Sequence, residues 1–393
     1  MQDNRFSLTR VSLWNYKNLA RVDVEPGGLL ILVGPNGSGK SNFLDALSLV
    51  AEGLRTSLDQ ALRTRGGTAE VSRRFPGRRR PTNVRIELGF TAGDLTGDYG
   101  VEIAATGGGG FRIAHEYCNV RDADHDTNRA WFDVRNGELA EQSEPVMPPV
   151  DDQRLYLVSA AGIDDFRAVF EGLSGISVFN IVPGTMREPR TPDSGAFLLP
   201  DGSNLASVLH RMAPGARERM TEYLAGIVPG LLGVSRKDLG TWETLEFLQD
   251  VHASDGPQRF PAQSMSDGTL RALGVLVALF SDTGRTRSTI GIEEPENALH
   301  PAASGVLLDA LRDAAERRQV IITSHSPDLL DRDDLLPEEL CAVRSMGAQV
   351  RIGPLDAAGT MALREHLYTP GELLRTDQLL PVLEEPSTAR RED

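Results

Sequence analysis

The octet "GPNGSGKS", Gly34 to Ser41, has the form G-x-x-x-x-G-K-[ST]. An apolar run, "GGLLILV", leads into it, and Phe43, Leu44, Leu47, Leu49 and Val50 follow as the apolar positions of a helix. A strand, a glycine-rich turn and a helix over residues 40–55 are therefore expected. In that context the backbone N–H groups of the turn and of the helix N-terminus surround phosphate oxygens. Lys40 reaches the β- and γ-phosphates and Ser41 ligates Mg²⁺. Lysine occurs only at Lys17, Lys40 and Lys237 among 41 basic residues, so a lysine in this slot is an informative letter.

The stretch "STIGIEEPENALHP" carries the next candidates. Ile290, Gly291 and Ile292 read as a buried strand delivering Glu293 and Glu294 to its C-terminal end, where open α/β sheets hold ligands. Successive strand residues face opposite sides, so the two carboxylates are expected to divide the work. Glu293 would face the metal held by Ser41, through water, and Glu294 would orient a water at the γ-phosphate. The same "EEPE" also suits a solvated acidic turn before a helix. In "VIITSHSP" a strand ends at Ser324, and His325 beyond it can hydrogen-bond a phosphate oxygen, although a lone histidine is usually structural. "SMSDGTLRALGVLVALF" opens an apolar helix at Ser266, Asp267 and Gly268, as a cap or as a second phosphate site.

The elements that must position these groups have ordinary dimensions. The 393 residues accommodate one large or two ordinary domains. With 40% apolar and 25% charged residues, the composition is that of a soluble globular protein. No apolar run approaches the roughly 18 residues that cross a bilayer. The N-terminal "MQDNRFSLTR" lacks the apolar segment of a secretory signal. Cys118 and Cys341 make neither a disulfide framework nor a zinc spacing. A cytoplasmic protein without membrane contact is expected. A net charge of −15 argues against bulk nucleic-acid binding and leaves room for a local basic face. Arg73, Arg74, Arg78, Arg79 and Arg80 lie in one loop, which reads as a DNA-tracking patch or as a solvated flexible segment.

Along the chain, residues 7–33 read as two strands, and four strand-like pieces between 83 and 137 suggest antiparallel hairpins, with "GGGG" at 107–110 as one turn. "RLYLVSA" reads as a strand, and residues 163–250 as mixed but mainly helical. After 264 come a turn, a helix (268–281), a strand (289–293), a helix (302–316) and a strand (319–323). "LCAVRS" and "AQVRIGPL" close the core, and the polar tail from 384 is expected to fray.

The order P-loop, S-x-S-D-G, strand-Glu-Glu, strand-x-Ser-His resembles the ABC-type ATPase heads of the RecF/SMC type. More narrowly it is similar to the bacterial AAA family ATPases of the RecF-like, OLD-like group. The segments that carry the likeness are "LWNYKNL", "LVGPNGSGKSNFLDAL", "SDGTLR", "IEEPENALHP" and "TSHSPDLL", with "GSNLASVL" and "PGELL" also reading like that group. The resemblance implies an α/β P-loop NTPase fold of ABC-ATPase type: a mixed sheet core, an antiparallel β lobe and an inserted helical lobe. It implies one head over 1–393, with a P-loop lobe and β-subdomain at 1–160, a mainly helical insert at 161–264, and a signature, Walker B and H-loop lobe at 265–393.

The likeness also implies ATP and Mg²⁺ as ligands and assigns roles. Gly34, Asn36, Gly37, Ser38, Gly39, Lys40, Ser41 and Asn42 form the phosphate loop. Glu293 joins Ser41 at the metal, Glu294 is the catalytic carboxylate, and His325 is the switch histidine. Ser266, Asp267, Gly268 and Thr269 match the signature that touches ATP bound by a second protomer. Lys17 matches a basic residue near the nucleotide, or is an exposed cation on an edge strand. Asp267 stands where transporter signatures carry glycine, which disfavours a transporter subunit, and a Q-loop glutamine is not placed.

The implied active unit is a head-to-tail homodimer with ATP in its interface, released by hydrolysis. No sustained heptads separate P-loop and signature, so the arms of a cohesion machine are not expected. No acidic metal cluster follows His325, so an OLD-type Toprim nuclease is not expected and any nuclease-like effector would be separately encoded. Two functions stay open. One is an ATPase switch acting on DNA, in repair, recombination or anti-phage defence. The other is an ATP-gated module that controls a partner effector without touching DNA.

Overall fold

The computed structural model describes residues 5–73, 83–151, 153–251, 256–281, 288–347 and 349–382. At its centre is a six-stranded sheet in the order Gln349–Pro354, Leu340–Met346, Leu29–Val33, Val320–Ser324, Ile290–Glu293, Ser177–Phe179. The last five strands run parallel, and Gln349–Pro354 pairs antiparallel at one edge. Val33 pairs with Ser324, and Thr323 with Glu293. Gly34, His325 and Glu294, the next residues, therefore leave the sheet at one end.

The period-two alternation of buried strands sends their side chains into two separate cores. Leu30, Leu32 and Ile321 pack with the P-loop helix Lys40–Arg55 on one face. Leu29, Ile31, Val33, Val320, Ile322, Ile290 and Ile292 pack on the other face with the helices Asp267–Phe280 and Ser304–Ala315. Gly291 lies toward the P-loop helix: a Cβ there would come within 2.9 Å of Leu44. Glycine at this position lets the helix approach the strand that carries the paired glutamates.

A seven-stranded antiparallel sheet covers the P-loop side, in the order Leu19–Val24, Phe6–Tyr16, Val84–Ala92, Leu95–Ala105, Phe111–Asp122, Asn128–Arg135, Glu138–Gln142. Its buried Phe6, Phe90, Tyr99 and Phe132 share one core with the P-loop helix and the helix Asp164–Gly175. Residues 7–33 thus hold three strands rather than two. "NYKNL" is a two-residue hairpin turn pairing Tyr16 with Leu19, with Lys17 in the left-handed region at φ 47°.

One other expectation is corrected. "RLYLVSA" is not a strand; it contains the helix Tyr156–Ala160. The buried Glu116 carboxylate accepts the N–H groups of Tyr156 (2.6 Å) and Leu157 (3.0 Å), acting as a cap from a distant strand. Residues 161–264 combine helices with the three-stranded sheet Leu231–Leu239, Trp242–Gln249, Gln258–Pro261. Leu245 and Phe247 alternate into the core, and Gly240 at φ 65° makes the turn. Within the same stretch Ser177–Phe179 joins the central sheet.

No helix among the described residues is long and apolar enough to cross a membrane. Cys118 and Cys341 are buried free thiols. Of the five loop arginines only Arg73 is described, and it is buried; Arg74, Arg78, Arg79 and Arg80 lie outside the described residues, as does the tail from 384.

Candidate active site

The phosphate loop follows the strand Leu29–Val33 directly. Gly37 (φ 75°) and Gly39 (φ 104°) take left-handed conformations that side chains avoid, which turns the chain into the helix that starts at Lys40. Gly34 is required for space, because a Cβ there would lie 2.1 Å from the Val343 carbonyl oxygen. Asn36 and Gly37 are exposed at the loop's crest. The buried Lys40 donates from Nζ to the carbonyl oxygens of Gly34 (2.7 Å) and Pro35 (2.9 Å), which holds it across the loop. Burial pushes its pKa down, while Glu294 and Glu296 oppose that shift. The Ser38 hydroxyl is buried with no hydrogen-bond partner among the described residues.

Glu293 is the last residue of its strand, and its carboxylate lies near enough to the Ser41 hydroxyl to feel it. Burial raises its pKa, countered by the Ser41 hydroxyl and Lys17 and reinforced by Asp45 and Glu294. Glu294 is no longer in the strand. Its φ of 43° is left-handed, and its N–H donates to the Thr323 carbonyl at 3.0 Å. The two carboxylates are separated by this backbone turn rather than by strand alternation. Glu294 Oε2 accepts from Asn297 Nδ2 at 2.6 Å, and Oε1 lies 3.1 Å from His325 Nδ1. The His325 contact is not aligned as a hydrogen bond, which leaves Nδ1 without one.

The structure brings Lys40, Ser41, Glu293, Glu294 and His325 to one sheet end. It adds residues that sequence reasoning gave other roles or none. Glu296 and Asn297 are two of them. Both are engaged within the chain: Glu296 is 6% exposed and accepts from Ser324 Oγ at 2.6 Å. Burial raises the Glu296 pKa, and its Oε2 has no partner among the described residues. Arg271 donates to the carbonyl oxygens of Glu294 (3.2 Å) and Glu293 (3.4 Å). Its place in "SDGTLR" was a signal, read only as part of a helix. Asn180 follows the strand beside Ile290–Glu293 at the same sheet end, and nothing in its local sequence marked it.

The remaining candidates sit around this centre. Asn42 donates to Asn18 at 2.6 Å, so the "NYKNL" hairpin tip braces the phosphate loop. Lys17 is 2.5 Å from Asp45, which also accepts from Tyr16 (2.6 Å) and Arg65 (2.7 Å). Lys17 is thus a hairpin-turn cation paired to Asp45 of the P-loop helix, and its field reaches Glu293. Ser266 caps the helix Asp267–Phe280 by accepting the Thr269 N–H, and Asp267 pairs with Arg187 at 2.5 Å. Ser266 and Asp267 are exposed, whereas Gly268 is buried: a Cβ there would meet the Ala298 carbonyl oxygen at 2.3 Å. The signature helix therefore packs on the segment that follows Glu294.

This fold and site define an ABC-type P-loop ATPase head of the RecF/SMC kind. Comparison with known proteins agrees. Residues 29–133 and 147–331 match the family AAA_21, described as "AAA domain, putative AbiEii toxin, Type IV TA system", and the chain belongs to that family. The DNA replication and repair protein RecF of Caulobacter sp. (strain K31) is 30% identical over 176 residues. That match covers 43% of this chain and 40% of that protein's length. A solved SMC head bound to the C-winged helix domain of ScpA superposes with a TM-score of 0.54 at 13% identity, covering 90% of this chain and 99% of that one. An SMC head from Pyrococcus furiosus, with an extended coiled coil and the C-terminal domain of ScpA, gives 0.55 at 11% identity, covering 92% and 99%. At these identities the structural likeness concerns the fold.

Proposed function

We propose that the protein binds and hydrolyses Mg-ATP between two head-to-tail copies of itself, as a switch on DNA. The observation that carries the reading is the convergence of Lys40, Ser41, Glu293, Glu294 and His325 at one sheet end. The Ser41 hydroxyl and the Glu293 carboxylate form an all-oxygen donor pair suited to a hard cation such as Mg²⁺. When bound there, the cation supplies charge neutralisation at the phosphate oxygens. The chain's own groups do the rest. Glycine-loop N–H groups and Lys40 hold phosphates, and Asn297 orients Glu294 as the general base toward water. His325, 3.1 Å from the other Glu294 oxygen, offers a ring nitrogen to the terminal phosphate. The exposed Ser266 and Asp267, at the start of the helix Asp267–Phe280, complete the site of a second copy. Lys17 and Asn42 act through the braced P-loop helix, and Asn180 faces the same sheet end.

Lys40→Ala should lose ATP binding, whereas Glu294→Gln should keep binding and lose turnover by on the order of 100-fold. Equilibrium binding of a fluorescent ATP analogue, together with phosphate release, measures both. Normal turnover in Glu294→Gln would remove Glu294 as the base.

The DNA role, in repair, recombination or anti-phage defence, rests on the RecF likeness. The net charge of −15 favours a second reading, in which the ATP-bound pair gates a separately encoded effector. Salt-dependent retention on DNA with ATP supports the first reading. Co-purification of a protein with Glu294→Gln, without DNA retention, supports the second.

A further inference from the structure

A cavity of about 700 Å³ opens at the far end of the P-loop helix from Lys40. Phe170, Val178, Phe179, Phe197 and Leu198 give it an apolar wall, and its charged lining residues are Arg55, Glu52 and Glu171. Among the described residues no carboxylate or carbonyl pairs with the Arg55 guanidinium. Its acidic neighbour Glu52 is already held by Arg65 and by Ser48, each at 2.7 Å. The rim is equally unusual. Phe197 is 64% and Leu199 43% exposed, in a segment whose backbone is fixed from below. The buried Asn204 donates to the Phe197 carbonyl (2.8 Å) and to Asp193 (2.7 Å), and accepts the Leu199 N–H (2.9 Å). This is the "GSNLASVL" motif, which the nucleotide site does not use.

An apolar concavity in the size range of ligand sites, with one unpaired cation and rigidly presented aromatic and aliphatic rims, specifies its occupant. We propose that this cavity binds a small monoanion with an apolar body, a medium-chain fatty or aromatic acid. The anionic head is held by Arg55 and the carbon body lies against Phe170, Val178 and Phe197. A carboxylate or sulfonate forms charge-assisted, two-pronged hydrogen bonds with a guanidinium, which an ammonium cannot match. The cavity touches both elements that build the nucleotide site. Ser48, Glu52 and Arg55 belong to the helix that begins at Lys40, and Ser177–Phe179 is hydrogen-bonded to the strand of Glu293. Occupancy should therefore shift nucleotide affinity, a coupling that rests on the ATP reading above, whereas the binding itself does not.

The probe is 8-anilinonaphthalene-1-sulfonate, an aromatic monoanion, titrated by fluorescence against the full chain, with decanoate as competitor. One saturable site displaced by decanoate is expected. Arg55→Ala and Phe197→Ala should each weaken it by about tenfold, with Arg55→Lys intermediate. Both positions are exposed, so an unchanged thermal melt confirms folding. No saturable site, or wild-type affinity in Arg55→Ala, overturns the proposal. A non-hydrolysed ATP analogue should alter the probe's affinity in wild type and not in Lys40→Ala. An unaltered affinity in wild type, with the analogue shown to bind, overturns the coupling and leaves the ligand site standing.

Discussion

Arg271 is not expected to touch phosphate or metal, yet its guanidinium meets the backbone of both glutamates. Removing it takes a donor from both carbonyl oxygens and leaves the Glu294 oxygen only the Asn297 N–H (3.1 Å), a loss of about 1–3 kcal/mol concentrated on the turn that aims Glu294. Arg271→Ala should therefore lower kcat by on the order of tenfold or more while ATP-analogue affinity changes little. Arg271→Lys should recover little, since an ammonium does not span both carbonyls. Steady-state phosphate release beside equilibrium binding separates these effects. Glu293 yields a pH prediction. Burial raises its pKa, so a proton competes with the cation at that carboxylate to higher pH than for an ordinary glutamate. Mg²⁺-dependent ATP-analogue affinity should fall as pH drops through that raised value, and Glu293→Gln should flatten the profile. Calorimetric titration at several pH values between about 5 and 8 reads the slope.

Several elements owe their form to a single distant contact, which explains why part of the fold was legible in the sequence and part was not. The P-loop strand, its turn and its helix were legible because glycine spacing and apolar periodicity agree locally. The strand Ile290–Glu293 was legible for the same reason. The helix Tyr156–Ala160 was not, since its start is set by Glu116, forty positions earlier in the chain. Nor was the left-handed Glu294, because no glycine or asparagine announces it. Glu116 is fully buried, and burial raises its pKa from the ordinary 4.5 to about 7. The folded chain thus binds more protons than the unfolded chain between those values, and stability falls as pH rises through the window. The contribution is roughly 3 kcal/mol at most. Urea unfolding at about pH 5 and pH 7.5 should show that fall in wild type and a smaller one in Glu116→Gln. Glu116→Gln should itself cost about 1–3 kcal/mol, because one amide oxygen cannot accept from Tyr99, Tyr156 and Leu157 together. Gly268→Ala acts on another such contact. Its methyl collides with the Ala298 carbonyl, so the signature helix must lift from the segment behind Glu294. A loss of about 1–3 kcal/mol is expected by the same unfolding assay.

At the scale of the molecule, the proposed pairing makes a mass prediction. Glu294→Gln with Mg-ATP should double in molar mass by light scattering, whereas wild type with ADP and Lys40→Ala with ATP should not. An unchanged mass at micromolar concentration would leave the exposed Ser266 and Asp267 without their proposed role. The central sheet carries a separate core on each face, one containing the P-loop helix and the other the signature helix. Side chains of the two cores do not interdigitate; they share only the strands between them. Amide hydrogen exchange should therefore report two families of protection. Leu30 to Leu32 and Val320 to Ile322 should exchange only through global opening, while each flanking layer has its own, lower opening free energy. Nucleotide would contact Lys40 from one layer and a loop held by Arg271 from the other. Its binding should merge the two families into one, turning a molecule of two cooperative units into a single one.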